Sequence, residues 1–319
     1  MVNKIKFYNN FKVSEVHKRS ILLIGNFDGL HLGHQKLFKL ANKYKKKFKL
    51  KIGIITFEPM PIKYFNKSIK NFRISNLNQK KKILKNLGID FIIIKKFDKK
   101  FSKIKSYQFI KNVLYENLKA KYIFVSDNFR FGNKREGNVK QLIKNEKEFK
   151  FKIIKPKPLV LKNKVISSTL IRNLLSNGKL EYSNQLLARK WCIESKVQRG
   201  RRMGKKIGFP TCNMDIKDYV IPKLGVYAVK IHQKNNSKIL KGIANIGYRP
   251  TFNQKKLLLE VYIFNFSGNL YNKYLTIEFI NFIRKEKKFK NINQLKKQIN
   301  SDLKLAKKKS KLIYGQRKY

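Results

Sequence analysis

Two folded units are predicted: an α/β unit built on a doubly wound parallel sheet over residues 1–186, and an antiparallel β-barrel with a terminal helix over residues 187–319. Three observations carry this. From Ile21 to about Leu187 short apolar runs alternate with amphipathic stretches, the pattern of parallel strands joined by crossover helices. Beyond Trp191 the runs turn β-rich and are punctuated by Gly and Pro. A chain of 319 residues, 42% of them hydrophobic, is long enough to bury two cores.

In chain order, strands are expected at 21–27, 51–57, 91–94, 122–125 and 151–154, with helices at about 34–47, 76–87, 105–118 and 138–148. The second helix carries a start signal in Ser75 and Asn76 and a stop in Gly88. Ligands of such sheets bind at the carboxyl ends of the strands. Barrel strands follow at 192–197, 225–232, 239–246, 257–266 and 274–283, and a polar helix at about 292–308 finishes the chain.

Lys and Arg total 76 against 18 acidic residues, a net charge of +58 that would ordinarily point to nucleic acid. The lysines, however, are spread through every segment, including 43–49, 80–82 and 307–309, and form no single basic stripe. Asn, Ile, Phe and Tyr are plentiful too, as in a chain drifting toward A- and T-rich codons. No specific nucleic-acid partner is therefore expected, only nonspecific affinity for polyanions at low salt. Cys192 and Cys212 stand alone, without the spacing of a disulfide framework or zinc site. No apolar run approaches the ~20 residues that span a bilayer, and residues 1–10 lack the apolar core of a signal peptide. A cytoplasmic protein that does not engage membranes is expected.

The most informative segment is Gly25-Asn26-Phe27-Asp28-Gly29-Leu30-His31-Leu32-Gly33-His34, which sets two histidines at i and i+3 where a strand gives way to a helix. That spacing shares one helical face, and the N–H groups of a first helical turn carry partial positive charge. His31, His34 and the helix start thus converge on one anion, a phosphate site. Gly29 and Gly33 allow close backbone approach, and Asp28 is placed to cap the helix or fix the loop. The segment resembles the signature of nucleotidyltransferases that attach AMP or CMP to a phosphate. Its Asn26-Phe27-Asp28-Gly29 is similar to the bacterial bifunctional riboflavin kinase/FAD synthetase family, which implies a Rossmann-like nucleotidyltransferase fold with Gly25, Phe27, Asp28 and Gly29 lining the site.

Further segments extend the resemblance. Thr56-Phe57-Glu58-Pro59-Met60-Pro61 resembles the family's T-F-E-P-H-P, with Met60 a departure. Val125-Ser126-Asp127-Asn128-Phe129-Arg130-Phe131-Gly132 resembles V-G-x-D-F-R-F-G, with Ser126 and Asn128 as departures. Asn128, Phe129 and Arg130 are expected at the crevice, where an aromatic face and an amide suit a flavin or adenine ring, while Phe131 is expected in the core. Ile166-Ser167-Ser168-Thr169-Leu170-Ile171-Arg172 resembles I-S-S-T-x-I-R. Ser167 or Ser168 can cap a helix whose first N–H groups, with Thr169, form a second anion cradle, and Arg172 can clamp departing pyrophosphate.

In the second unit, Gly200-Arg201-Arg202-Met203-Gly204-Lys205-Lys206-Ile207-Gly208-Phe209-Pro210-Thr211-Cys212-Asn213 resembles the riboflavin kinase segment G-x-x-x-G-x-x-I-G-F-P-T-A-N. A glycine loop of Gly200, Gly204, Gly208 and Pro210 can fold over ATP phosphates, while Thr211 and Asn213 offer hard oxygens to Mg²⁺. Cys212, in place of Ala, is expected to pack quietly. Gly225 to Val229 and Gly242 to Phe252 match further family segments, with Val226 and Ile243 expected to be structural. Leu259-Glu260-Val261-Tyr262 resembles L-E-V-H, whose glutamate is the general base toward the riboflavin 5′-hydroxyl. Tyr262, Asn265 and Asn272 depart from the family's His, Asp and Gly. Arg284 and Glu286 fit R-x-E-x-x-F and are expected to line the flavin site.

The resemblance implies an enzyme that phosphorylates riboflavin to FMN and adenylylates FMN to FAD. Its substrates would be riboflavin, FMN and ATP, with Mg²⁺, and the chain would act as a monomer or weak homo-oligomer. Two rivals are an FMN adenylyltransferase with an impaired kinase half, because departures cluster around Tyr262 to Asn272, and a basic nucleic-acid-binding protein on the same scaffold. The second requires loss of His31, Thr211 or Glu260, and all three are present.

Overall fold

The fold is described from a computed structural model for residues 5–200, 203–234, 236–250 and 255–312. Of the motif residues above, Arg201, Arg202, Thr251 and Phe252 lie outside the described residues. The chain divides into two compact units, Met1–Lys70 with Leu77–Ser167, and Asn71–Asn76 with Ser168–Tyr319.

The first unit is built on a parallel sheet of β1 (Lys6–Tyr8), β2 (Ile21–Ile24), β3 (Ile52–Glu58), β4 (Phe91–Lys96), β5 (Tyr122–Phe124) and β6 (Lys152–Ile154), in the order β1-β4-β3-β2-β5-β6. The strand Ile21-Leu22-Leu23-Ile24 is apolar at every position because both faces of the sheet are covered. Leu22, Ile24 and Ile55 enter one core, and Ile21, Leu23, Ile52 and Ile54 the other. The order reverses at β2, whose neighbours are β3 on one side and β5 on the other, so the crevice of such a sheet opens beyond β2 and β5. The two loops read as ligand-binding leave those two strand ends.

Two expectations need correction, and one further strand forms. β2 stops at Ile24 rather than Phe27, since Phe27 adopts φ 47° and leads into a 3₁₀ turn at Asp28–Leu30. The edge strand β1 was not predicted, for three residues give too short a pattern to read. The expected helix at 105–118 is instead an α-turn, Ser106–Gln108, continuing as π-helical Phe109–Asn117. Other helices form close to expectation: α1 (Leu32–Phe48), α2 (Leu77–Lys85) and α3 (Val139–Lys144).

The second unit is a closed antiparallel barrel of β7 (Cys192–Gln198), β8 (Thr211–Asp215), β9 (Gly225–Gln233), β10 (Leu240–Pro250), β11 (Lys255–Ile263) and β12 (Tyr274–Arg284), ordered β7-β8-β11-β10-β9-β12. Sequence reading found five of these strands. It missed β8 because Thr-Cys-Asn-Met-Asp alternates over only five residues, with Cys and Met as its sole apolar members, and follows directly on the glycine motif. Met214, Leu259, Val261, Ala244 and Ile246 are completely buried inside the barrel. Val226, Ala228 and Ile243 on the outer face pack with Ile299, Leu303 and Ala306 of the terminal helix, so Val226 and Ile243 are structural as expected. Helices α4 (Ser168–Ser176), α5 (Leu180–Leu187) and α6 (Ile292–Leu312) belong to this unit.

Asp302 of α6 is 1% exposed and accepts three hydrogen bonds from Arg284 of β12, at 2.8–3.0 Å, and one from Gln298 at 2.9 Å. Neutralising one partner strands the other in a poorly solvated position. Asp302→Asn is therefore expected to destabilise the barrel unit by about 3 kcal/mol. The single tryptophan, Trp191, is buried in this unit, so its fluorescence during urea unfolding measures the loss.

Candidate active sites

His31 is not inside the helix, as the i, i+3 reading assumed, but at the N-cap of α1, with φ −69° and ψ 171°; Asp28 therefore does not cap α1 and lies buried in the 3₁₀ turn. The two imidazoles still come together: their rings stack with centroids 3.7 Å apart and planes 22° from parallel. Gly33 is needed here, since a Cβ would lie 3.1 Å from His31 Nδ1 and 3.2 Å from the Ile166 carbonyl. The H-x-G-H turn thus packs against the backbone at Ile166. Phe27, 3% exposed, sets its ring edge-on to His34 at 5.2 Å and covers Gly25. Gly29 takes φ 76°, a conformation costly for any residue with a Cβ.

His34 is half-buried, and its Nδ1 is buried without a hydrogen-bond partner among the described residues. Burial first, then the neighbouring charges of His31 and Lys80, hold its pKa well below the ordinary histidine value. His17, packed against Phe91 and hydrogen-bonded to Tyr8, is also lowered, chiefly by burial. Both imidazoles stay neutral where the unfolded chain already binds protons, so the unfolded state holds more protons just below about pH 6.5. Their contribution to stability is complete above that pH and is lost as pH falls through this window. The urea midpoint by circular dichroism is expected to drop between pH 7.5 and 5.5, and to drop less in His34→Gln.

Beyond β5, Asn128 is exposed and accepts a hydrogen bond from Ser126 Oγ at 2.8 Å. The two departures from the family pattern thus partner each other. Phe129 stacks on buried Phe131 at 5.5 Å, and Arg130 is exposed. Met60 is 2% exposed.

In the second unit Ser168 opens α4, with Ser167 immediately before it and Thr169 exposed. Arg172 donates from Nε to the Phe72 carbonyl at 2.8 Å, with its guanidinium 3.7 Å from the centre of the Phe72 ring. Phe72 was not found from sequence because it lies 100 residues away, outside any motif. Its segment is tied to the barrel unit through Asp218 and Trp191: the Phe72 N–H donates to the Asp218 carbonyl at 2.9 Å, and Trp191 Nε1 donates to the Ile74 carbonyl at 2.9 Å.

The barrel brings several of the residues expected of the second site together by register. Asn213 of β8 lies directly opposite Glu260 of β11, which in turn lies opposite Asn245 of β10, and Thr211 lies opposite Tyr262. Directly paired residues project from the same face with Cβ atoms about 5 Å apart. This is the outer face, because the alternating neighbours Met214, Leu259 and Val261 fill the interior. The glycine loop lies against this row: a Cβ on Gly200 would fall 2.1 Å from Asn213 Nδ2, and one on Gly204 would fall 3.3 Å from Thr211 Oγ1 and 2.3 Å from the Phe209 carbonyl. Gly208 takes φ 87°, and Pro210, exposed, leads into β8. Among the described residues Asn213 Oδ1 is buried with no hydrogen-bond partner, and it and the Thr211 hydroxyl are oxygens of the type that hard cations prefer.

Cys212 sits between them with its thiol pushed up to about 11 by burial, which makes it unreactive. Tyr262 packs edge-on against Phe209 of the glycine loop at 5.7 Å. Asn265 and Asn272 both take positive φ, 49° and 63°; Asn tolerates this conformation better than most residues, so replacing the family's Gly at 272 preserves the turn. Arg284 is committed to Asp302. The Glu286 carboxylate occupies the space a Gly247 side chain would need, and burial raises its pKa.

A sheet with stacked imidazoles at a helix start, and a barrel face carrying a carboxylate beside oxygen donors, are both suited to moving phosphate-containing groups. The molecule falls in the class of two-site transferases of phosphate-containing groups. Residues 13–170 match the family model for FAD synthetase, and residues 187–310 that for riboflavin kinase. A bifunctional riboflavin kinase/FMN adenylyltransferase of Buchnera aphidicola subsp. Schizaphis graminum is 39% identical, covering 97% of this chain and 99% of its own. One of Escherichia coli (strain K12) is 34% identical, covering 88% and 90%. A solved structure described as a macrolide-efflux protein from Streptococcus pneumoniae superposes with a TM-score of 0.81 at 26% identity, covering 94% of this chain and 98% of that one. Among the described residues no helix is long and apolar enough to cross a membrane. The chain belongs to the bifunctional riboflavin kinase/FMN adenylyltransferase family.

Proposed function

We propose that this chain makes FAD in two ATP-dependent steps, phosphorylating riboflavin on the barrel face and adenylylating FMN at the mouth of the sheet. The observation that carries the reading is the register of β8, β10 and β11, which sets Glu260 between Asn213 and Asn245 beside the glycine loop. Glu260 takes the proton of the riboflavin 5′-hydroxyl as that oxygen bonds to the γ-phosphorus, and ADP leaves. Thr211 and Asn213 would hold Mg²⁺, which would offset charge on the phosphoryl oxygens. Gly200, Gly204, Gly208 and Pro210 shape the loop over the ATP phosphates, and Arg284 and Glu286 border the flavin.

In the second step an FMN phosphate oxygen attacks the α-phosphorus of ATP and pyrophosphate leaves. His31 and His34 bind phosphoryl oxygens and need not act as bases, because the nucleophile is already ionised. Gly25, Phe27, Asp28 and Gly29 form the turn that places them. Asn128, Phe129 and Arg130 receive a ring, while Ser167, Ser168, Thr169 and Arg172 take the pyrophosphate. We assign the first activity to residues 187–319 and the second to residues 1–186. Each proposed site uses residues of one chain, which supports a monomer or weak homo-oligomer, and small charged substrates support a cytoplasmic setting without nucleic acid or membrane. The positive-φ asparagines at 265 and 272 argue against a decayed kinase half.

Chromatographic analysis of products tests this directly. Purified protein with MgATP is given riboflavin in one tube and FMN in another. FAD is expected from both. FAD from FMN alone would refute the kinase assignment, and no flavin product in either would refute both.

A further inference from the structure

Lys80 belongs to no motif described above, yet it is 2% exposed, a rare placement for lysine. It projects from α2, and its Nζ donates to the Asn26 carbonyl at 2.7 Å and to Thr56 Oγ1 at 3.3 Å. Thr56 Oγ1 donates to the same carbonyl at 3.4 Å. Asn26 lies where β2 gives way to the turn bearing Asp28, Gly29 and, next, His31. A hydroxyl and an ammonium therefore converge on one backbone oxygen at the base of the phosphate loop. The ammonium is also close enough to His34 to disfavour a second positive charge there. A charge held away from water acts over longer distances than an exposed one.

We propose that Lys80 is a positioning residue of the adenylyl-transfer site: it fixes the turn through Asn26 and supplies buried positive charge that favours the polyphosphate of ATP over an uncharged nucleoside. This rests on the reading of His31 and His34 as phosphate-binding. The lysine acts through the turn and through its field, not by contact with the reacting atoms.

The test uses the full chain, fed FMN and MgATP, with FAD counted so that the kinase site does not enter. Inhibition constants are measured for α,β-methylene-ATP, which carries the phosphates, and for adenosine, which does not. In Lys80→Met the constant for α,β-methylene-ATP is expected to rise about tenfold or more while that for adenosine stays within about twofold. An equal rise for both would mean a purely structural lysine, and no change in either would mean no role; each overturns the proposal. Should Lys80→Met form no FAD, Lys80→Arg decides, because it keeps the charge. It is expected to keep the ratio of the two constants found in the unaltered protein, and a lost ratio or lost activity would overturn the proposal. Failure of both compounds to inhibit the unaltered protein would instead refute the adenylyl-site reading itself.

Discussion

Glu260→Gln is expected to slow FMN formation from riboflavin by about 100-fold or more, the usual range for losing a positioned general base. The amide keeps the shape of the side chain and its place opposite Asn213 and Asn245, so binding should survive while proton acceptance does not. The KM for riboflavin should accordingly change far less than kcat. Conversion of supplied FMN to FAD should continue within about twofold, as expected for a site built from other residues. Separate assays with riboflavin and with FMN check both halves of the statement. A kinase rate that survives the substitution would remove Glu260 from the base role and leave it a metal-facing or structural carboxylate.

The second large effect concerns His34→Ala, which should cut FAD formation from FMN by about 100-fold or more, as losses of preorganised donors to phosphoryl oxygens do. FMN formation from riboflavin should go on, so that FMN accumulates in the riboflavin tube. Removing the ring also takes away the stacking partner of His31 and a contact of Phe27. His34→Gln retains a hydrogen-bonding side chain and should lose less than His34→Ala. Equal loss of both activities would contradict the division of labour between sheet and barrel.

Both substitutions fall on residues that the sequence alone singled out, and the reason is chemical. Histidines at i and i+3 with Gly29 before them and Gly33 between them, and a glutamate in a chain with 18 acids, are visible because their types are scarce and their spacing is meaningful. What spacing could not provide is conformation. His31 stands at the N-cap because Phe27 and Leu30 adopt positive φ, and nothing in those apolar side chains signals that backbone. Strand β8 escaped because only Cys212 and Met214 mark its inward face, a short and weak alternation that follows directly on the glycine motif. Lys80 looked like one lysine among many until its burial set it apart.

The sequence by itself determined the two kinds of unit, most of their strands and helices, and the residues that carry the proposed chemistry. Apolar periodicity and local motif spacing are short-range properties, and they suffice for that. Only the tertiary structure decided that Glu260 sits between two asparagines, that Arg172 rests on Phe72, that Arg284 is tied to Asp302, and that Lys80 supports Asn26. Each of these depends on strand register or on contacts between segments far apart in the chain. Such pairings are fixed by how whole faces of sheet and helix bury together, which no local stretch of sequence specifies.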